Sequence, residues 1–177
     1  NIHSLYNIEK SNKVLPTIHL MLDWLSVMCH PDGEIAFFND SVLNASPTLE
    51  QLNDYFTRLD GKCEENQNSC RTLSSSGYTK FNNKAYSIIM DHAKIGADYL
   101  PGHGHADTLS FELSIFKKRV IINTGISNYN DSKNRHEQRS TSSHSTVSID
   151  GKNSSDVWGA FRVGRRAKIL SYNKKKI

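Results

Sequence analysis

The chain has 177 residues, 37% of them hydrophobic, and its 22 basic and 18 acidic side chains leave a formal charge of +4. Such a length and composition exclude a wholly disordered chain and suit one ordinary domain, or adjoining pieces of two. The small positive excess gathers between Arg162 and Lys176 without any recognised nucleic-acid-binding module, so no nucleic-acid partner is expected.

The first predicted element is a helix over Val14 to Cys29, where Leu15, Ile18, Leu22, Leu25 and Cys29 recur at helical spacing. His30-Pro31-Asp32-Gly33 should stop it, because Pro disfavours helical geometry before it and Asp-Gly is turn chemistry. A second helix is expected after Ser46-Pro47, with Ser46 as cap, Pro47 at the first position and Leu49, Leu52, Phe56 and Leu59 on its apolar face. Gly61 is expected to close it in the left-handed conformation.

From Cys63 to Ser76 the sequence is almost entirely polar, which places a boundary there, and a Cys63–Cys70 bridge or two free thiols both suit it. Beyond it the period changes to two. Thr108 to Phe116 reads as a strand that buries Leu109, Phe111, Leu113 and Ile115 and exposes Ser110, Glu112 and Ser114. Further strands are expected over Tyr86 to Asp91, Arg119 to Asn123, Ser145 to Asp150 and Ala167 to Tyr172, with a hairpin at Asp150-Gly151. Helices followed by antiparallel strands make the fold class α+β. The longest apolar stretches, such as Ile18 to Leu25, are broken by polar residues and fall far short of the ~20 residues of a membrane span. The chain opens at Asn1 with neither an initiator Met nor a leader, so a processed protein or a piece of a longer one is expected.

The residues richest in chemistry are Pro101-Gly102-His103-Gly104-His105-Ala106-Asp107. Two residues apart, His103 and His105 share a side of an extended backbone, a geometry that serves either metal binding or proton transfer. The flanking glycines permit unusual backbone angles and close approach of a ligand. A cupin-type metal site fits poorly, since Glu112 lies an odd number of residues past His105 and faces the other way in a regular strand.

The run Leu100 to Glu112 resembles the heparinase II/III-like polysaccharide lyases, as do Val120 to Gly125, Arg139 to Val147, Asp150-Gly151 and Val157 to Gly164. Upstream, His30 to Ile35 and Phe37-Phe38-Asn39-Asp40 are similar to the end of that family's helical part. The resemblance implies that residues 1–70 are the last helices of an α/α toroid and 71–177 the first part of an antiparallel β-sandwich. Substrate would lie in the groove between them.

It further implies β-elimination at a uronic acid, a reaction that must neutralise a carboxylate, remove the neighbouring C5 proton and protonate the departing oxygen. His103 matches the family's catalytic sandwich histidine; a toroid Tyr and an Asn or His that would share the work are not identified in this chain. The chain alone is therefore expected to be inactive. A family zinc site of His, Asp and His matches His105, Asn123 and His144, and Asn at the middle position should weaken metal binding. No organic cofactor is implied.

Arg139 and Tyr129 are candidates for contacting an acidic sugar, whereas Trp158 and Phe161 are expected to pack the sandwich and Arg165-Arg166 to lie on a solvated edge. The expected partner is an acidic polysaccharide or oligosaccharide, in a periplasmic or extracellular setting. The alternative is a non-catalytic carbohydrate-binding or envelope-assembly protein on the same fold.

Overall fold

A computed structural model describes residues 8–59, 61–62 and 68–171, with side chains from residue 14 onward. Helix α1, Ile8–Met28, begins earlier than its apolar spacing predicts. The expected face is the one turned inward: Leu15, Ile18, Leu22 and Leu25 are half-buried and Cys29 is buried. Helix α2, Leu49–Arg58, packs on α1, with the His19 and Phe56 rings edge to face at 5.0 Å.

The start and end of α2 correct two expectations. Thr48, not Ser46, is the cap: its Oγ1 accepts from Gln51 N at 3.3 Å while Gln51 Oε1 accepts from Thr48 N at 2.9 Å. Gly61 is not left-handed. It is needed for closeness instead, since a Cβ there would stand 2.5 Å from the Phe56 ring.

The sheet is a five-stranded antiparallel meander in the order β1 to β5: Cys70–Leu73, Tyr78–Asn82, Tyr86–Asp91, Phe111–Ile115 and Lys118–Ile121. Strand β3 spans the expected residues, whereas β1 lies inside the predicted polar loop, pairing Arg71 with Lys80 and Thr72 with Thr79. The proposed Cys63–Cys70 pairing involves a residue outside those described. Ser145 to Asp150 and the described part of Ala167 to Tyr172 form no strand. At Asp150-Gly151 both residues have positive φ, and a single Ile149–Lys152 bridge closes the expected turn. Helix α3, Lys133–Gln138, a short 3₁₀ turn, Thr141–Ser143, and a two-stranded ribbon, β6 (Val157–Trp158) with β7 (Arg162–Val163), complete the fold.

Strand β4 alternates as expected but with the opposite face inward. Ser110, Glu112 and Ser114 are fully buried, while Leu109 and Ile115 are exposed and Phe111 and Leu113 half-buried. The serine and glutamate side meets the end of α1 and residues 29–38, which supply the polar partners. His30 bridges Ser114 Oγ (2.7 Å) and Glu112 Oε2 (2.8 Å), and Glu112 Oε1 accepts from Phe37 N and Asn123 N at 3.0 and 2.9 Å. Lys80 Nζ donates to the carbonyls of Ser26 and Cys29, so the C-terminal end of α1 is tied to the sheet. Met28, Ala36, Phe38, Tyr78 and Ile89 form the apolar core beside this network.

Removing the Glu112 carboxylate would leave His30 Nε2 and two backbone N–H groups buried without partners. Glu112→Ala is therefore expected to lower unfolding free energy by about 3–5 kcal/mol. Glu112→Gln, which keeps an acceptor for both N–H groups, should cost less, and chemical denaturation of the two variants checks the order.

Candidate functional site

Phe38 is anchored in the core, and the chain then turns sharply at Asn39, whose φ is 52°. Asn tolerates this conformation better than most residues. Here it is braced on three sides: Asn39 N donates to Asp107 Oδ2, its Nδ2 to Tyr78 Oη, and its Oδ1 accepts from His105 N at 3.2 Å. The turn delivers Asp40 to the residues between β3 and β4 that carry the two histidines.

Asp40 is the hub of the site. Its Oδ2 meets His103 Nδ1 at 2.7 Å and its Oδ1 meets His105 Nε2 at 2.8 Å. Arg135 of α3 forks onto both oxygens, with Nη2–Oδ2 at 2.9 Å and Nη1 on Oδ1. Burial would raise the Asp40 pKa, but the hydrogen bonds from His105, Arg135 and His103 outweigh it and hold the carboxyl well below the usual range. An ionised carboxylate only accepts, so His103 Nδ1 and His105 Nε2 are the protonated nitrogens that donate to it. A neutral His103 then has a bare Nε2, and its side chain is 63% exposed.

Around His103 stand the rings of Tyr129 and Phe161, with centroids at 5.8 and 5.7 Å and both edge to face. The Arg135 guanidinium lies 5.3 Å from the Tyr129 centroid and 5.5 Å from that of Phe161. Phe161 and Trp158 are both exposed rather than packed inward, and Phe161 lines an open groove of about 480 Å³ that also includes His103. Gly104 lets the loop close: a Cβ there would meet Ile95 Cγ1 at 2.8 Å.

His105 and His144 are buried side by side, with His105 Nδ1 and His144 Nε2 3.3 Å apart. Burial lowers the pKa of both, and with His105 nearby that of His144 falls to about 3, so both are neutral imidazoles near neutral pH. Asn123 is fully buried too, its Oδ1 accepting from Ser145 N at 3.0 Å. Among the described residues Asn123 Nδ2 has no hydrogen-bond partner. Among the described residues no three His, Cys, Asp or Glu side chains form a metal-holding cluster.

Arg139 is not placed to contact a sugar. It is almost fully buried, and its guanidinium donates to the carbonyls of Gly104, Trp158, Gly159 and Arg162 at 3.0–3.4 Å. These bonds clamp the histidine loop to the β6–β7 ribbon. Asp40 and Arg135 have no role in the sequence reading. Asp40 lies within a stretch that carries the family resemblance, but Arg135 is 95 residues away and no local pattern joins them.

Residues 67–176 match the family described as heparinase II/III-like, C-terminal. The chain belongs to the heparinase II/III-like family. No curated protein sequence matches it. Among solved structures it is similar to a heparinase III at 17% identity, covering 89% of this chain and 28% of that one with a TM-score of 0.63. A second, a heparinase III gene product, is 20% identical with a TM-score of 0.61, covering 83% of this chain and 27% of that one. The heparan sulfate lyase HepC from Pedobacter heparinus is 21% identical, with a TM-score of 0.55 and coverage of 75% and 24%. The heparinase II/III-like chain thus spans about a quarter of the length of the structures it matches, and at these identities the likeness establishes the α+β fold. Among the described residues no helix is long and apolar enough to cross a membrane.

Proposed function

We propose that this heparinase II/III-like chain is part of a polysaccharide lyase that cleaves a uronic-acid-containing polysaccharide by β-elimination, with His103 as a catalytic residue. The observation that carries the reading is the exposed imidazole at the groove with its Nδ1 held by an ionised carboxylate, an arrangement in which the neutral ring offers Nε2 as a proton acceptor. Asp40 fixes the tautomer and ring orientation, as a carboxylate does for histidine in other acid–base sites. The Nε2 lone pair accepts the C5 proton of the uronate. The electrons of that C–H bond form the C4–C5 double bond, the C4–O bond breaks, and the departing oxygen is protonated.

Neutralisation of the uronate carboxylate and protonation of the leaving oxygen fall to the rest of the protein, with residues 1–70 as the end of the toroid. Residues 71–177 are the opening part of the sandwich. The half-exposed face of Tyr86, Met90, Leu113 and Ile115 supports this, since one sheet of a sandwich buries such a face against the other. Tyr129, half exposed beside His103, contacts the sugar ring in this reading. The setting is periplasmic or extracellular, where such polymers are met.

The facing nitrogens of His105 and His144, both neutral, buried and 3.3 Å apart, fit a zinc ion. Asn123 would add a neutral oxygen already shared with Ser145 N. Bound there, the zinc supplies a structural tie beneath the loop. Asn123→Asp is expected to tighten zinc binding about tenfold or more, read by titration calorimetry on the full-length protein. Equal affinities would remove Asn123 from the ligand set.

The lyase reading is tested by following ultraviolet absorbance while the full-length protein digests heparan sulfate, alginate and other uronate polymers. Conjugated unsaturated ends make the absorbance rise. A flat trace across the panel, with glycan binding retained, favours the non-catalytic carbohydrate-binding protein, the reading for which the Asn123 departure speaks.

A further inference from the structure

We infer that the groove leading away from His103 is a subsite for an anionic substituent, a carboxylate or a sulfate ester, on the sugar next to the one being cleaved, and that Arg162 is the residue that binds it. The inference rests on the lyase reading for what occupies His103, and on independent geometry for the subsite itself. The groove holds about 480 Å³, enough for sugar units, and His103, Phe161, Arg162, Arg166, Tyr99 and Asp98 are among the residues that line it.

Arg162 differs from the arginines around it. Arg135 and Arg165 are on carboxylates, Arg139 on backbone carbonyls, and Arg166 on the Asp98 carboxylate and carbonyl. Arg162 is exposed and forms no ion pair among the described residues; the nearby Asp131 carboxylate, which shares the space beside Gly159 with the Arg162 stem, is on His136. A free guanidinium offers the planar fork that carboxylate and sulfate oxygens accept.

Its backbone, by contrast, is fixed. Arg162 pairs with Trp158 across the β6–β7 ribbon, and its carbonyl accepts from the buried Arg139 at 3.1 Å. The same Arg139 holds Gly104 of the histidine loop at 3.0 Å, so the distance from His103 to the Arg162 backbone is set by one clamp. Tyr99, 90% exposed at the groove, presents a ring against which a sugar face can lie. At the far end Asp98 offsets the charge of Arg166, which leaves Arg162 as the group that selects for an anion.

The test uses the full-length protein with Arg162→Ala and Arg162→Lys. Binding of size-defined oligosaccharides is measured by calorimetry in a His103→Ala background, and turnover with His103 intact. Arg162→Ala is expected to raise Kd and KM about tenfold or more with kcat within twofold, and Arg162→Lys, which keeps charge without the fork, to fall between. If only oligosaccharides from heparan sulfate lose affinity, the ligand is a sulfate; if those from alginate lose it as well, it is a carboxylate. Kd and KM within twofold of wild type for every acidic oligosaccharide would overturn the subsite while leaving the lyase reading intact, and so would a protein that binds none of them. Binding that depends on Arg162 in a protein without turnover would uphold the subsite and sink the lyase reading.

Discussion

Replacing His103 by alanine is expected to lower kcat for uronate elimination by about 10²–10⁴-fold, the usual contribution of a positioned acid–base group. KM should change little, because the variant removes a group that acts on the reacting proton and leaves Tyr129, Phe161 and Arg162 in place. Unfolding free energy should fall by only about 1 kcal/mol, since the side chain is 63% exposed, packs edge-on against two rings and gives up one hydrogen bond to Asp40, which keeps His105 and Arg135. The combination is diagnostic. A structural histidine would lose stability and activity together, whereas the proposed role predicts a loss of turnover far larger than the small loss of stability accounts for, with undiminished oligosaccharide binding. Turnover within tenfold of wild type would remove His103 from the chemistry.

How far the molecule could be read beforehand depended on whether the relevant contacts were local. Strand β3 stands where the period of two put it, because a half-buried strand writes its alternation into consecutive residues. Strand β4 shows the limit of that argument. Alternation reveals two faces but not which one is covered, and here the covering surface is polar, with His30 and Phe37 N meeting Glu112 and Ser114. The apolar residues of β4 consequently lie on the open side. The cap of α2 does leave a local trace, since Thr48 and Gln51 have the spacing of a capping box.

The site divides in the same way. The His103 and His105 pair is visible as a motif because both residues belong to one short loop. Asp40 and Arg135 are joined only by the fold, and an ion pair between residues 95 apart leaves no periodic trace. Helix α3, which carries Arg135, spans six residues with no apolar stripe, and the Ser132 side chain that caps it marks it only faintly. Arg139 shows a general limit: an arginine near a histidine cluster suggests an anion, but when it is buried its five N–H donors can be satisfied by backbone carbonyls, here four of them, as well as by a ligand.

The Asp40 hub makes the second large prediction, and two substitutions separate its structural and positioning parts. Asp40→Ala deletes the carboxylate that, alone among the described residues, pairs with the fully buried Arg135 side chain, and it strips His105 Nε2 of its acceptor. An unpaired buried guanidinium is expected to cost about 3–5 kcal/mol, measurable as a lowered denaturation midpoint, and with it the geometry of the loop. Asp40→Asn keeps the shape and one acceptor for Arg135, but its amide nitrogen must face an imidazole that previously donated. One histidine has then to change tautomer or turn away. If that histidine is His103, its Nε2 takes the proton and can no longer accept one from C5. The expected result for Asp40→Asn is therefore a fall in kcat of about 10²–10⁴-fold with a much smaller loss of stability than in Asp40→Ala. Oligosaccharide binding should persist in the asparagine variant, because Arg139 still holds the Gly159 and Arg162 carbonyls and the amide oxygen still accepts from Arg135, which braces Ala160. Should the asparagine variant be folded and turn over within tenfold of wild type, Asp40 would be a structural partner of Arg135 and His103 would be oriented by its aromatic neighbours alone.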